Sequence, residues 1–316
     1  MTEQDTATQR PVVTPESPSG VRRPWLVVVV SVIAGFLLTV VWSASFVDDT
    51  IGASVADTVL GHEAEDAPIT GVLSGIAFAF ATGMAGTFTA CNIAALSAVA
   101  PLVGSRPSLS ERLREVLKPL GWLTVGVLTV SGVYGFIVGL VGTSMPQFST
   151  AQGGEGLSPR NIQSMVAFGI IGLAFLYLGL AALRLVPDPL ERISRRFPGA
   201  RMLLMGALIG GFLIGRPFGL FRQLFRDAAE SGNPFYGAAA FMLQSLGNIV
   251  LIAVLFVLLA LVTGGRAGRW LIARPARLAV ITGASFIVVG VFTFLYWDVR
   301  ILARNDLIWY PTAPWS

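Results

Sequence analysis

The sequence predicts an all-α integral membrane protein with seven transmembrane helices: one N-terminal anchor and a six-helix core of two inverted three-helix repeats with broken first helices. Three observations lead there. The 316 residues are 54% hydrophobic and only 13% charged, against about 25% charged in a soluble domain. Apolar runs long enough to cross a bilayer, which takes about 20 residues, recur along the chain. Two of these runs are interrupted, one at residues 82–101 and one at residues 206–226, by glycines and by polar or charged side chains.

Residues 1–24 are polar and proline-rich with no hydrophobic pattern, and read as a disordered cytoplasmic tail. Residues 25–47 form the first span. Arg22 and Arg23 precede it like the basic flank of a signal peptide, but the apolar run exceeds the roughly 7–15 residues of such a peptide, so it reads as a retained anchor. Residues 48–69 form an acidic extracytoplasmic loop with Asp48, Asp49, Asp57, Glu63, Glu65, Asp66 and the only histidine, His62. Residues 70–297 are the membrane core, and residues 298–316 an extracytoplasmic tail.

Within the core, residues 69–103 are too long for one straight span, so a break near Gly83–Gly86 or a re-entrant section at Cys91 is expected. A short amphipathic surface helix over 108–118 should stop at Pro119. The next spans are 120–141 and 162–185, then 202–221 carrying Arg216 and Pro217, 236–262, and 278–297. Residues 222–231 look amphipathic, and Gly232-Asn233-Pro234 reads as a turn. Tyr296, Trp297, Trp309, Tyr310 and Trp315 read as interfacial aromatics. The acids all fall outside the predicted spans.

Charge tests this parse. All the basic residues but Lys118 are arginine, a bias that fits high-GC codon usage and a bacterial source. Basic residues at 10, 22, 23, 106, 112, 114, 118, 184, 192, 195, 196, 201, 266, 269, 274 and 277 fall on one side of the seven spans, and only 160, 216, 222, 226, 300 and 304 on the other. That asymmetry places the protein in the cell inner membrane with its N-terminus cytoplasmic and its C-terminus extracytoplasmic. The basicity is thus a matter of topology and of the lipid bilayer, with no nucleic acid implied.

One cysteine and one histidine exclude an internal disulfide, a Cys-x-x-Cys pair and a His-rich metal cage within the chain. No metal or cofactor is expected, and no catalytic motif marks an enzyme. What remains are the interrupted helices. An odd number of spans per repeat forces the second repeat to run inverted, a transporter plan whose site lies where the broken helices meet. Thr87, Thr89 and Asn92 in the first break, Arg216 and Pro217 in the second, and Gln244 and Asn248 in the sixth span are the candidate midplane residues. A charge near a helix centre costs about 2.5–3.5 kcal/mol on insertion scales, so Arg216 faces either a cavity and its ligand or, if the helix is short, snorkels outward. Gly206, Gly210, Gly211, Gly215 and Gly219 are spaced for close helix packing. Cys91 is either a small buried hydrophobe or a reactive thiol near a cation.

At these residues the chain resembles the DsbD/CcdA transmembrane domain family of cytochrome c biogenesis and thiol–disulfide interchange. Thr89-Ala90-Cys91 stands where that family has its first Ser-Pro-Cys. Residues 120–142, 168–185 and 245–256 resemble its second, third and fifth helices, so the likeness covers about residues 70–297. The resemblance implies two inverted halves passing reducing equivalents across the membrane, with Cys91 as the catalytic thiol and an extracytoplasmic or cytoplasmic thiol protein as partner. The chain departs from the family where Gly215-Arg216-Pro217 stands in place of the second cysteine segment, so an internal disulfide cycle is lost. Three readings follow: an electron conduit working through Cys91, a small-solute transporter using Arg216, and a membrane assembly subunit without chemistry of its own.

Overall fold

The computed structural model describes residues 21, 23–43, 46, 50–51, 53–61, 72–86, 109–148, 157–215, 219–263 and 274–315. Among them the protein is all helical, with no strand. The helices are α1 Pro24–Val41, α2 Ala53–Leu60, α3 Val72–Ala85, α4 Leu109–Val141, α5 Pro159–Ala182, α6 Glu191–Arg196, α7 Ala200–Gly215, α8 Gly219–Glu230, α9 Pro234–Thr263, α10 Pro275–Phe294 and α11 Arg300–Arg304. A π-helical turn, Leu295–Val299, joins the last two.

Among the described residues five helical stretches are long and apolar enough to cross a membrane: Pro24–Val41, Leu117–Ser144, Pro159–Ala182, Pro234–Leu255 and Ala276–Arg304. The pair Ala200–Gly215 and Leu220–Glu230, bent by 82°, makes a sixth if counted as one broken span. The chain is a polytopic membrane protein. α3 supplies only a shorter apolar helix, Ser74–Ala85; the rest of the expected span to residue 103 lies outside the described residues.

The bundle packs mainly in antiparallel pairs, α4 on α9 and α5 on α10, with α7 laid against α4 and α3 against α9. Backbones touch where glycines allow it. Gly126 faces the Leu203 carbonyl and Gly206 the Leu123 carbonyl, so a Cβ at either would overlap the oxygen of the other helix. The α3–α9 crossing repeats this with Gly83 against the Gln244 carbonyl and Gly247 against the Phe80 carbonyl. On α5 and α10, Gly172 pairs with Gly290 and Gly179 with Gly283; a Cβ at Gly172 or Gly179 would stand 3.0 and 2.9 Å from the opposite carbonyl. Small residues at such crossings let dispersion and backbone contacts replace the hydrophobic drive that lipid cannot supply. The glycines of α7 divide between two neighbours: Gly206 and Gly210 face α4, Gly211 and Gly215 face α5. Val133, Leu140, Val166, Ile170, Leu173 and Val254 stay exposed on the outer surface, as a lipid-facing belt requires.

Several elements differ from the sequence expectation. α4 runs through Pro119 as one 33-residue helix; a proline removes one backbone hydrogen bond, and the packing of this long helix against α7 and α9 outweighs that loss. A helix, α2, occupies part of the acidic loop and buries Ala56 against α3. α7 runs to Gly215 and the helix resumes as α8 at Gly219, at a bend of 82°. α8 is amphipathic: Leu220, Phe221, Leu224, Phe225, Ala228 and Ala229 are buried, Arg222, Arg226 and Glu230 exposed. The last helical stretch does not stop at Trp297 but continues to Arg304, so Asp298 sits within a helix.

Of the five aromatics read as interfacial, Tyr296 is buried and Trp297 half-buried. Tyr296 stacks on Phe292, and Trp297 on Phe168 at 4.5 Å. Trp309, 85% exposed, does lie at the surface. α1 is not a free anchor. It packs on α10, with Gly35 against Val288 and Val291, and its C-terminal carbonyls are held from the far end of the chain. Arg300, 2% exposed, donates to the Thr39 carbonyl at 3.0 Å and the Trp42 carbonyl at 3.2 Å and lies over the Tyr296 ring. The Thr39 hydroxyl bonds the Tyr310 hydroxyl, and the Ala313 N–H donates to the Val40 carbonyl at 3.0 Å.

Candidate functional site at the α7–α8 joint

A helix that ends inside a bundle leaves its last four carbonyls without helical partners, and each must be satisfied or it costs free energy. α7 ends at Gly215, and side chains of three other segments converge on that end. The Ile214 carbonyl accepts from Gln163 Nε2 at 2.7 Å and from Gln147 Nε2 at 3.0 Å, with the Tyr134 hydroxyl at 3.5 Å. The Gly215 carbonyl accepts from the Ser164 hydroxyl at 2.5 Å. Gln163 Nε2 also donates to the Tyr134 oxygen at 3.1 Å, while its Oε1 is buried with no hydrogen-bond partner.

Local rules place these groups. Ser158 caps α5 by accepting from the Asn161 N–H at 3.3 Å, and Pro159 stands at the first helical position, a strong helix start. One turn later Gln163 and Ser164 face α7. Gly215 lets α5 come close, since a Cβ there would lie 2.6 Å from the Phe168 ring. Tyr134 lies between the Phe225 ring of α8 and the Phe241 ring of α9, so the joint has an aromatic wall. On the open side of α8, Arg222 lies within electrostatic reach of both Arg160 and Arg226, a cationic rim beside the start of α8. Tyr236 donates its hydroxyl proton to Asp227.

Of the residues expected to form a site, Gln244 and Asn248 lie on the face of α9 that packs on α3, where Gly83 touches the Gln244 carbonyl and the Asn248 N–H. Gln244 is buried and its Oε1 has no hydrogen-bond partner. Cys91, Thr87, Thr89, Asn92, Arg216 and Pro217 lie outside the described residues, as does His62. Tyr134, Gln147, Gln163 and Ser164 were not expected at the site. The signal for two of them was present: Gln163 and Ser164 are adjacent polar residues at the start of a long apolar run. Among the described residues no group of three His, Cys, Asp or Glu side chains could hold a metal ion.

No family model, curated protein or solved structure matches the chain. Among the described residues it is an all-helical polytopic membrane protein with a bent helix pair, and the buried end of α7 is bound by the side chains of its neighbours.

Proposed function

We propose that the protein is a carrier for a small anion, built from two inverted three-helix halves, with the solute bound at the α7–α8 joint. The observation that carries this reading is the interrupted helix itself. The start of α8 offers the N–H groups of a helix's first turn and the positive end of a helix dipole. Arg222 and Arg226 follow on that helix and Arg160 lies near them, while Arg216 falls in the gap between the two helices. The α7 carbonyls, which would repel an anion, are already occupied by Gln163, Gln147 and Ser164. Broken helices at a repeat interface are a common way to build a carrier site.

The two-half plan is supported by the helix crossings. Exchanging α3 with α7 and α4 with α9 carries the Gly83–Gln244 and Gly247–Phe80 contacts onto Gly206–Leu123 and Gly126–Leu203, with the same spacings on every helix. Exchanging α5 with α10 carries the Gly172–Gly290 pair onto Gly283–Gly179. The arginine asymmetry supports a cytoplasmic N-terminus in the inner membrane, with the α8 end of the joint facing outward.

A second reading, the electron conduit implied by the DsbD/CcdA resemblance, has one observation in its favour. The offset that lays Gly83 on Gly206 lays Cys91 on Ile214, the residue whose carbonyl anchors the joint. Cys91 would then be the thiol that attacks a partner protein's disulfide.

Uptake of labelled acetate, phosphate and sulfate into proteoliposomes separates the two. Saturable uptake of one of them, reduced at least tenfold by Arg216→Leu and kept by Cys91→Ser, is the expected result. If none of the three is taken up, or if uptake ignores Arg216→Leu, the carrier reading falls. A Cys91-dependent mixed disulfide trapped in native membranes would move the assignment to the second reading.

A further inference from the structure

Asp298 takes no part in the joint, yet it is placed as few membrane carboxylates are. It lies in the helical stretch Ala276–Arg304, which also carries Arg277, Arg300 and Arg304, and it is half-buried; an ionisable side chain packed between membrane helices needs a partner or a purpose. The turn that carries it, Leu295–Val299, is π-helical. Such a turn holds one residue more than an α-turn and rotates the helix beyond it, and it recurs at functional sites. The carboxylate meets α5 at Gly169, where a Cβ would stand 2.9 Å from Oδ1. Any larger residue at 169 would displace it. Beside it Trp297 stacks on Phe168, in the cluster that includes Phe175, Phe212 and Phe286. Oδ2 is buried with no hydrogen-bond partner.

Among the described residues no cation neutralises this group. On its own side the charged or titratable neighbours are Tyr296, Arg300, Arg304 and Tyr310. Arg300 is committed to the α1 carbonyls, and Arg304 lies over the Tyr296 ring. The face of α5 opposite offers Phe168 and Gly169; Arg160 lies nine residues before Gly169 on that helix, and Tyr177, eight after it, donates to the Pro187 carbonyl. α1 carries no ionisable side chain between Pro24 and Val41.

From this geometry we infer that Asp298 is a proton-binding site at the α5–α10 interface. Loading adds one proton to Oδ2 and removes one negative charge from the interior; unloading returns the proton to water. A metal cation is the poorer occupant, since hard cations gather several oxygens and the apposed α5 face supplies a glycine and an aromatic ring. The site rests on the carrier reading only for its role there, which would be to move a proton together with the anion.

Dicyclohexylcarbodiimide tests this, because it converts a protonated carboxyl in an apolar environment to a stable N-acylurea. The full-length protein in lipid vesicles is treated across pH 5–9 and the adduct is located by peptide fragmentation. The expected result is an adduct on Asp298 that falls about tenfold per pH unit once the group is mostly ionised, is absent in Asp298→Asn and persists in Asp298→Glu. No adduct at residue 298 at any pH, or an adduct indifferent to pH, overturns the proposal, and the wild-type protein alone decides that if a variant fails to fold. An adduct without anion flux removes the carrier and keeps the proton site; flux without an adduct does the reverse.

Discussion

The α3–α9 and α4–α7 crossings are built alike, whereas the residues that bind the end of α7 have no like residues at the matching positions of the other half. At each crossing a glycine of one helix touches a carbonyl of the other and is answered by a glycine in return: Gly83 and Gly247 in one, Gly206 and Gly126 in the other. Beyond the crossing α7 runs on to a break whose carbonyls are bound by Gln163, Gln147 and Ser164. At the offset set by those glycines, the position of Gln163 in the second half is Arg274 and that of Ser164 is Pro275. Backbone contact tolerates no side chain, so a crossing keeps its form. A helix end only needs a donor from somewhere, so its surroundings are free to diverge and to take up a function.

The strongest way to break this comparison is at the crossings. Gly206→Leu and Gly83→Leu each force a side chain into a carbonyl, and each should cost about 4 kcal/mol or more, in the range of severe core disruption. Both should be lost as monodisperse protein on size-exclusion chromatography; a tolerated Gly83→Leu beside a lost Gly206→Leu would mean the two crossings are not equivalent. The next effect falls on the buried guanidinium. Arg300→Met leaves the Thr39 and Trp42 carbonyls unbound, and should cost about 1.5–3 kcal/mol, the usual worth of a hydrogen bond to a charged group. It should free α1, read as faster hydrogen exchange over residues 36–42. Gln163→Leu removes one donor from Ile214 and should cost about 1–2 kcal/mol, with faster exchange at the start of α8 and reduced uptake. The same change at Gln244, whose side-chain oxygen has no partner to lose, should leave exchange at the joint unaltered. The smallest effect is expected on the surface of α6. The Arg195 guanidinium bonded to Glu191 holds that carboxyl below its ordinary range. The stability this adds is present above the unfolded-state value and is lost as pH falls through the lowered one. The pair is fully exposed, so Glu191→Gln should leave thermal stability unchanged within error at pH 7.

How much of this the sequence carried depends on the physics of each feature. The long spans were legible because a bilayer demands a minimum apolar length, and residues 120–141, 162–185 and 236–262 meet it without interruption. The break after Gly215 was legible because Arg216-Pro217 is costly in a continuous helix. The groups that bind the break were not, because Tyr134, Gln147 and Gln163 reach Ile214 from 80, 67 and 51 residues away, and such contacts leave no local periodicity. The course of the helix past Asp298 was not legible either: an aspartate at the end of an apolar run reads as a helix end, and the π-turn carries the helix on to Arg304. Arg300 was counted among the flanking charges, whereas its task is to bind the end of a helix that lies more than 250 residues earlier in the chain.

That last contact has a consequence for biosynthesis. α1 leaves the ribosome well before the groups that close its C-terminal end, Arg300, Tyr310 and Ala313, have been made. At 5–20 residues per second, tens of seconds separate the two events. During that interval the Thr39, Val40 and Trp42 carbonyls have neither Arg300 nor the Ala313 N–H, and α10, on which α1 rests, does not yet exist. α1 is therefore a guest in the membrane until residues 300–313 have been made, held by its apolar length alone. Its final place is a report that synthesis has passed residue 313.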